Sequence, residues 1–315
     1  MPRRYHIIFN PAAGTALVNG ITTEVLSEHF AAAGLDFEID DNQDSDLEDR
    51  LAPALAGDAE VVVAAGGDGT VLSVAEALLG SEKILAVLPL GTLNGLARDL
   101  GLALDLPSAV TQLPTLEPRA IDVGEVNGRP FLHNVIVGLI PDIAIGREWV
   151  RGRPGLRSKL RFIRFMWTRM TYAHRIALAL RSDVSPTRIE LIHTLVVANN
   201  SYDQRIGTFL ARHRLDRGTM TAYLIRRLRM SDAIRLALSM VAGRWREDSA
   251  IEFEQVRELT VSSKRKQVRV TMDGEVTTLT TPLNFRVRPL SLKVLAPPLP
   301  DAEAVKPAEA AAVEA

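Results

Sequence analysis

The sequence predicts a doubly wound α/β domain followed by a mainly antiparallel β-sandwich domain, and three observations carry that prediction. Through the first 125 residues, short apolar runs alternate with segments of helical spacing. From about Asp122 the rhythm changes to alternating stretches rich in Val, Ile, Thr and Phe. At 315 residues the chain exceeds one ordinary domain of roughly 150, and 47% apolar with 24% charged residues supplies an ample core.

Taken in order, Tyr5–Asn10 is short and apolar, and residues 16–33 follow with helical spacing through Leu17, Ile21, Val25, Leu26 and Phe30. Gly34 stands where a helix C-cap belongs. Phe37–Asp41 and an acidic stretch come next. Glu60–Ala65 contains Val61-Val62-Val63-Ala64-Ala65, a run that suits a strand buried on both faces. Val71–Leu79 reads as a helix, Ile84–Leu88 as a second buried strand and Leu93–Leu100 as a short helix. Sheets of this kind bind ligands beyond the carboxyl ends of their strands, so the loops after Phe9, Ala65 and Leu88 are the candidate site.

In the second half, strands are expected at Phe131–Val137, Ile176–Leu180, Arg188–Ala198, Thr219–Arg226, Ile251–Ser262 and Gln267–Met272. The last alternates Val268, Val270 and Met272 with Gln267, Arg269 and Thr271. Helical insertions are expected at about 142–173 and 231–243, the second opening on Ser231-Asp232 as an N-cap pair. The Ala/Glu/Pro-rich segment 301–315 has nothing with which to build a core and is expected to be disordered.

The net charge of −1 conceals a division. Residues 1–125 carry 6 basic against 20 acidic side chains, while residues 126–300 carry 30 against 14. A basic second half facing an acidic first half suggests two domains with different partners, the basic one turned to an anionic surface. The absence of cysteine excludes disulfides, thiolate metal sites and a cysteine nucleophile. No apolar run approaches the 18 or so residues of a membrane span, and the start of the chain lacks a signal peptide's apolar core, so a cytoplasmic protein is expected.

Among local motifs, Gly66-Gly67-Asp68-Gly69-Thr70 is the most informative, lying between a buried strand and a helix. Glycines let a phosphate approach the backbone, and the helix start offers unpaired N–H groups at the positive end of its dipole. An aspartate among phosphates makes sense when a divalent ion lies between them. Asn10-Pro11-Ala12-Ala13-Gly14 and Pro89-Leu90-Gly91-Thr92-Leu93-Asn94-Gly95 fall at the same sheet edge, and together the three loops form a plausible nucleotide cleft. Neither a P-loop nor a Rossmann fingerprint is present.

The set resembles the diacylglycerol kinase catalytic-domain family, which includes sphingosine, ceramide and bacterial lipid kinases. The matching pieces are Asn10-Pro11-x-x-Gly14, Gly66–Thr70, Gly91-Thr92-x-Asn94 with Ala97-Arg98-x-Leu100-Gly101, Ile121-Asp122-x-Gly124, Ala198-Asn199 and Asp273-Gly274-Glu275. The resemblance implies an ATP-binding domain at 1–125, a lipid-binding β-sandwich at 126–287, and a segment 288–300 that returns to the first domain. It also implies that Asn10, Gly66, Gly67, Asp68, Gly69, Thr70, Thr92 and Asn94 hold the nucleotide. Asp68 and Asp122 would join the network around Mg²⁺, and Glu275 would be the general base for a lipid hydroxyl. That role suits phosphoryl transfer, which needs positioning, a metal clamp and a group to orient the nucleophile. On local sequence alone Asp273-Gly274-Glu275 is an ordinary turn; its place in the pattern gives it function.

Three departures stand out: Gly95 where many members have Asp, Ser73 where many have Glu, and Arg217 in Leu215-Asp216-Arg217-Gly218 where bacterial members have an Asp that binds a structural Mg²⁺. Arg217 brings its own positive charge, so that structural metal is not expected. Two other readings stay open: an NAD kinase-like enzyme, which would share Gly-Gly-Asp-Gly, and a non-catalytic lipid or nucleotide sensor of the same fold. The stretch 147–175 carries nine basic residues and one acidic residue, interleaved with Trp149, Phe162, Phe165, Trp167 and Tyr172. That pattern suits peripheral contact with an anionic membrane as well as it suits a packed helix with a solvated basic face. No nucleic-acid module is present. The six histidines show no metal-ligand spacing and read as structural.

Overall fold

The computed structural model describes residues 3–138 except 43, 175–203, 211–226 and 230–298 except 243 and 249, with isolated positions 161, 164 and 168. The elements of the first part are β1 (Arg4–Phe9), α1 (Gly14–Asn19), α2 (Thr23–Ala32), β2 (Asp36–Asp40), α3 (Leu47–Ala56), β3 (Val61–Gly66), α4 (Asp68–Leu78), β4 (Ile84–Pro89), α5 (Gly95–Leu100) and α6 (Leu106–Gln112). Strands β2, β1, β3 and β4 lie side by side in parallel. Every residue of β3 and β4 is buried. Each fully buried valine there contributes on the order of 1.5–3 kcal/mol relative to an exposed one. Helices cover both faces, and the core they close includes Phe9, Leu26, Phe30, Val74 and Leu88.

The remaining strands are β5 (Glu117–Val126), β6 (Arg129–Phe131), β7 (Asn134–Gly138), β8 (Ile176–Ser182), β9 (Arg188–Ile192), β10 (Thr194–Asn199), β11 (Met220–Ile225), β12 (Ile251–Val256), β13 (Glu258–Ser263), β14 (Gln267–Met272), β15 (Glu275–Thr280) and β16 (Leu283–Ala296), with α7 (Met230–Val241) before β12. A six-stranded antiparallel sheet runs β12-β11-β10-β7-β14-β15. Its apolar face packs on β8, β13 and the first half of β16 through Val135, Val197, Ala222, Leu180, Val261 and Phe285.

Strand β16 joins the two parts. Its first half pairs with β13, Phe285–Arg288 and Leu292–Ala296 pair with β5, and Val294 lies beside Leu85 of β4. One ten-stranded sheet therefore runs through both parts, in the order β2-β1-β3-β4-β16-β13-β8-β9 with β5 beside β16 and β6 beside β5, and one layer of the sandwich is its continuation. The returning segment expected from 288 belongs to a strand that starts at Leu283.

Several expected elements divide. The helix over 16–33 is two, because Gly20 turns left-handed at the end of α1 and Thr22 caps α2. Arg188–Ala198 divides at His193, where the chain leaves one sheet for the other. Gly138 makes that crossing possible, since a Cβ there would lie 2.2 Å from the His193 carbonyl oxygen. Ile251–Ser262 divides between Val256 and Glu258 in the same way. Within the acidic stretch lies α3. Helix α7 begins at Met230, so Ser231 and Asp232 are in its first turn rather than capping it. The expected helix at 142–173, most of the basic stretch 147–175 and the tail 301–315 lie outside the described residues.

Candidate functional site

The three loops converge at the carboxyl ends of β1, β3 and β4. Asn10, just past β1, donates from Nδ2 to Thr70 Oγ1 at 3.1 Å and accepts from the Ala12 N–H at 3.0 Å. Thr15 reaches the third loop, its hydroxyl donating to the Gly91 carbonyl at 2.6 Å. The backbones of the second and third loops touch: a Cβ on Gly91 would sit 2.6 Å from the Gly67 Cα. The Thr92 hydroxyl lies over Gly14, 2.9 Å from where a Cβ would be. Asn10, Gly66–Thr70 and Thr92 therefore share one edge.

Asp68 opens α4, and its carboxylate accepts from the N–H groups of Asn94, at 3.2 Å, and Gly95, at 2.7 Å. It thus pins the start of α5 against the start of α4. Asn94 is itself committed to its loop, accepting from the Gly91 N–H at 2.8 Å and donating to the carbonyls of Pro89 and Gly91. Its left-handed φ of 50° fits that bracing role. The side chain shapes the loop that carries Thr92.

Glu275 arrives from the other part of the chain. Asp273 and Gly274, both at positive φ, make the two-residue turn between β14 and β15 that an Asp-Gly pair favours. The Asp273 carboxylate accepts from the N–H groups of Leu132, His133 and Asn134, at 2.6, 2.8 and 3.0 Å, which ties the turn to the loop before β7. Three backbone N–H groups on one carboxylate anchor the turn. Glu275, the next residue but one, is exposed, and its Oε1 lies 3.2 Å from where a Cβ on Gly69 would stand.

Asp122, expected to join the network around Mg²⁺ indirectly, meets two backbone N–H groups. It is fully buried in β5, with Oδ2 accepting from the Gly218 N–H at 2.6 Å and Oδ1 from the Leu290 N–H at 2.9 Å. Leu290 sits at φ 48° in the bulge of β16, between Arg288 and Leu292. Asp122 clamps that bulge and bonds to neither Asp68 nor Glu275. Asp216 pairs with Arg214 at 2.7 Å, and Arg217 extends to Asp203 at 3.8 Å. Ser73 turns its hydroxyl back onto the Gly69 carbonyl.

Sequence reasoning missed a buried polar centre beside this edge. Arg212, 1% exposed, bonds to Asp99 through its own N–H and its guanidinium, and to the carbonyls of Leu132 and Asn199 at 2.8 and 2.7 Å. Its Nη2 also meets His133 Nδ1 at 2.5 Å. Burial would raise the Asp99 carboxyl, but the Arg212 charge, the neighbouring His133 ring and the hydrogen bonds from Arg212 hold it below its usual value. Nearby, Tyr202 accepts from Asn134 Nδ2 at 2.8 Å, and burial pushes its hydroxyl up to about 12. A lone arginine in a basic half-chain gave no signal of this, and His133 read as structural.

Among the described residues no three His, Cys, Asp or Glu side chains converge as a metal site. No described helix is long and apolar enough to cross a membrane. The available acidic groups at the edge, Asp68 and Glu275, suit a divalent ion shared with a bound phosphate better than a cage built by the protein alone.

Residues 4–126 match the family model of the diacylglycerol kinase catalytic domain. A "Probable lipid kinase YegS-like" protein of Pseudomonas syringae pv. tomato is 44% identical over 90 residues, 28% of this chain and 29% of the relative. The chain spans about three-tenths of the length of the Pseudomonas relatives of that name. The diacylglycerol kinase of Bacillus subtilis (strain 168) is 25% identical over 291 residues, 87% of this chain and 90% of the relative. A crystal structure of a diacylglycerol kinase from Bacillus anthracis (strain Sterne) superposes with TM-score 0.63 at 18% identity, covering 94% of this chain and 97% of the other. Another from that organism reaches 0.70 at 20% identity over 94% and 95%. These likenesses show the two-part fold.

Proposed function

On the premise that residues 4–126 belong to the diacylglycerol kinase catalytic-domain family, we propose that this protein is an ATP-dependent lipid kinase. It would transfer the γ-phosphoryl group to a hydroxyl of diacylglycerol or a related lipid. The observation that carries the reading is the Glu275 carboxylate, exposed and set against Gly69 of the Gly66–Thr70 loop from the second part of the chain.

The roles follow from that placement. The triphosphate lies along the Gly66–Thr70 loop, where α4 presents unpaired N–H groups and the positive end of its dipole. Asn10 and Thr70 brace the loop, and Thr92 offers a hydroxyl across it. Mg²⁺ bound with ATP would neutralise phosphate charge, and Asp68 would be the carboxylate to hold it. Glu275 accepts the proton of the lipid hydroxyl as that oxygen forms its bond to the γ-phosphorus and the bond to the ADP oxygen breaks. Asp122 supports the site indirectly, by holding the β16 bulge that joins the two parts.

The lipid comes from a bilayer, so we place the protein at the cytoplasmic face of an anionic membrane, held there by the basic second half. The test is transfer of label from γ-labelled ATP to a panel of diacylglycerol, monoacylglycerol, ceramide and sphingosine in mixed micelles, with NAD as a further acceptor. Labelled phospholipid is the expected product. Labelled NADP, or ATP binding without transfer to any lipid, would overturn the proposal.

A further inference from the structure

Gly95 and His133 meet across the two parts of the chain. A Cβ on Gly95 would lie 2.7 Å from His133 Cε1 and 2.9 Å from Nε2, so the imidazole occupies the space that any side chain at position 95 would need. Gly95 is also the residue whose N–H binds Asp68 at 2.7 Å. The imidazole therefore stands over the start of α5, one hydrogen bond from the phosphate loop. On the same flank, Glu275 stands over Gly69, and the Asp273 carboxylate ties the two approaches together by gripping the His133 N–H.

The tautomer of the ring follows from its partners. Arg212 Nη2 lies 2.5 Å from Nδ1, and a guanidinium can only donate. Asp99 Oδ2 is 3.5 Å from Nδ1, too far to compete, and it is already engaged by Arg212 at closer range. Nδ1 is therefore the acceptor, and in the neutral ring the proton is on Nε2. Arg212 and Asp99, with side chains 1% and 6% exposed, are fixed in place by the Leu132 and Asn199 carbonyls, so the ring has one orientation. Nδ1 points into that buried centre. Nε2 has no partner among the described residues, and the side chain is 18% exposed.

We infer that His133 is a substrate-contacting group of this kinase, its Nε2–H donating to a non-bridging oxygen of the γ-phosphate of ATP. The inference rests on the proposed kinase reading. An N–H donor held over the phosphate loop adds a charge-assisted hydrogen bond to the triphosphate. ADP lacks the group it would contact.

The test is calorimetric titration of the purified full chain with MgATP and MgADP, in the wild type and in His133→Leu, His133→Gln and Gly95→Ala. His133→Leu should bind ATP about tenfold or more weakly, the worth of one charge-assisted hydrogen bond, while ADP affinity stays within about threefold. His133→Gln, which keeps an N–H donor of similar reach, should recover much of the loss. Gly95→Ala, which leaves the imidazole chemistry intact but displaces the ring, should also weaken ATP more than ADP. Unchanged ADP affinity serves as the control for folding. Equal losses for ATP and ADP, or none for either, would overturn the inference. A wild type that prefers ATP through His133 yet phosphorylates no lipid would sink the lipid-kinase reading alone, and one that binds no nucleotide would sink both.

Discussion

The carboxylate of Glu275, at the start of one strand, rests against the backbone of Gly69, at the start of a helix more than two hundred residues earlier, with no room between them for a full-sized side chain. A Cβ at 69 would approach Oε1 to 3.2 Å, so the carboxylate would have to give by a few tenths of an ångström. Glu275→Gln keeps that contact and removes the proton acceptor. Turnover should fall by about 10²-fold or more while ATP affinity holds. Gly69→Ala should lower turnover more modestly. A wild-type rate in Glu275→Gln, measured on lipid in micelles, would move the base elsewhere.

Asp68 braces two helix starts, and in the proposed reading it also faces the nucleotide. Asp68→Ala should abolish Mg²⁺-dependent transfer, and it should also cost about 1–3 kcal/mol, because the Asn94 and Gly95 N–H groups lose their acceptor. Urea denaturation reads the second effect and label transfer the first. Full activity in a folded variant would refute the role of this loop.

Asp122 offers a way to tell a clamp from a metal ligand. Asp122→Asn turns an NH₂ toward an N–H donor, either Gly218 or Leu290, and should cost about 1–3 kcal/mol of stability. The Mg²⁺ dependence of the residual activity should not move. A raised Mg²⁺ requirement at unchanged stability would restore Asp122 to the metal network.

The Asp99–Arg212 pair predicts a pH signature. Asp99→Asn leaves a buried guanidinium uncompensated and should cost about 3–5 kcal/mol near neutrality. The Asp99 carboxyl is held below its ordinary 3.8 in the folded protein. A depressed acid contributes stability that is present above its unfolded pKa and lost as the pH falls through the folded one. The gap between wild type and variant should therefore be flat from about pH 6 to 8 and narrow below about pH 4. Denaturation at pH 7, 5 and 3 checks this, and a gap that stayed constant down to pH 3 would contradict it.

The basic second half predicts salt-sensitive membrane binding. Attraction to anionic lipid is worth roughly 1 kcal/mol per Lys or Arg near the surface and fades within a Debye length. Neutralising Arg157, Lys159, Arg161 and Arg164 together should weaken co-sedimentation with phosphatidylserine-containing vesicles by up to about a thousandfold at low salt. It should spare activity on a short-chain lipid analogue. Binding indifferent to salt and to lipid charge would show the stretch to be a solvated face.

Local pattern determined a good deal of this protein. Val61–Ala65 and Ile84–Leu88 could only be buried strands, since a run without polar residues has no face to offer water, and the loops that follow them had to share one sheet edge. The motif residues at that edge, from Asn10 to Thr92, were legible for that reason, and Asp273-Gly274 announced its hairpin because both positions need positive φ. What the sequence could not give was partnership between distant residues. Nothing on paper shows that Asp122 meets two backbone N–H groups, which only the Gly218 turn and the bulge of β16 bring to it. Asn94 became a loop brace through bonds to its own neighbours. Arg212, Asp99 and His133 lie in three separate stretches with no periodicity to link them. Folding brings them together because a buried guanidinium must find a carboxylate and carbonyls to replace the water it has lost.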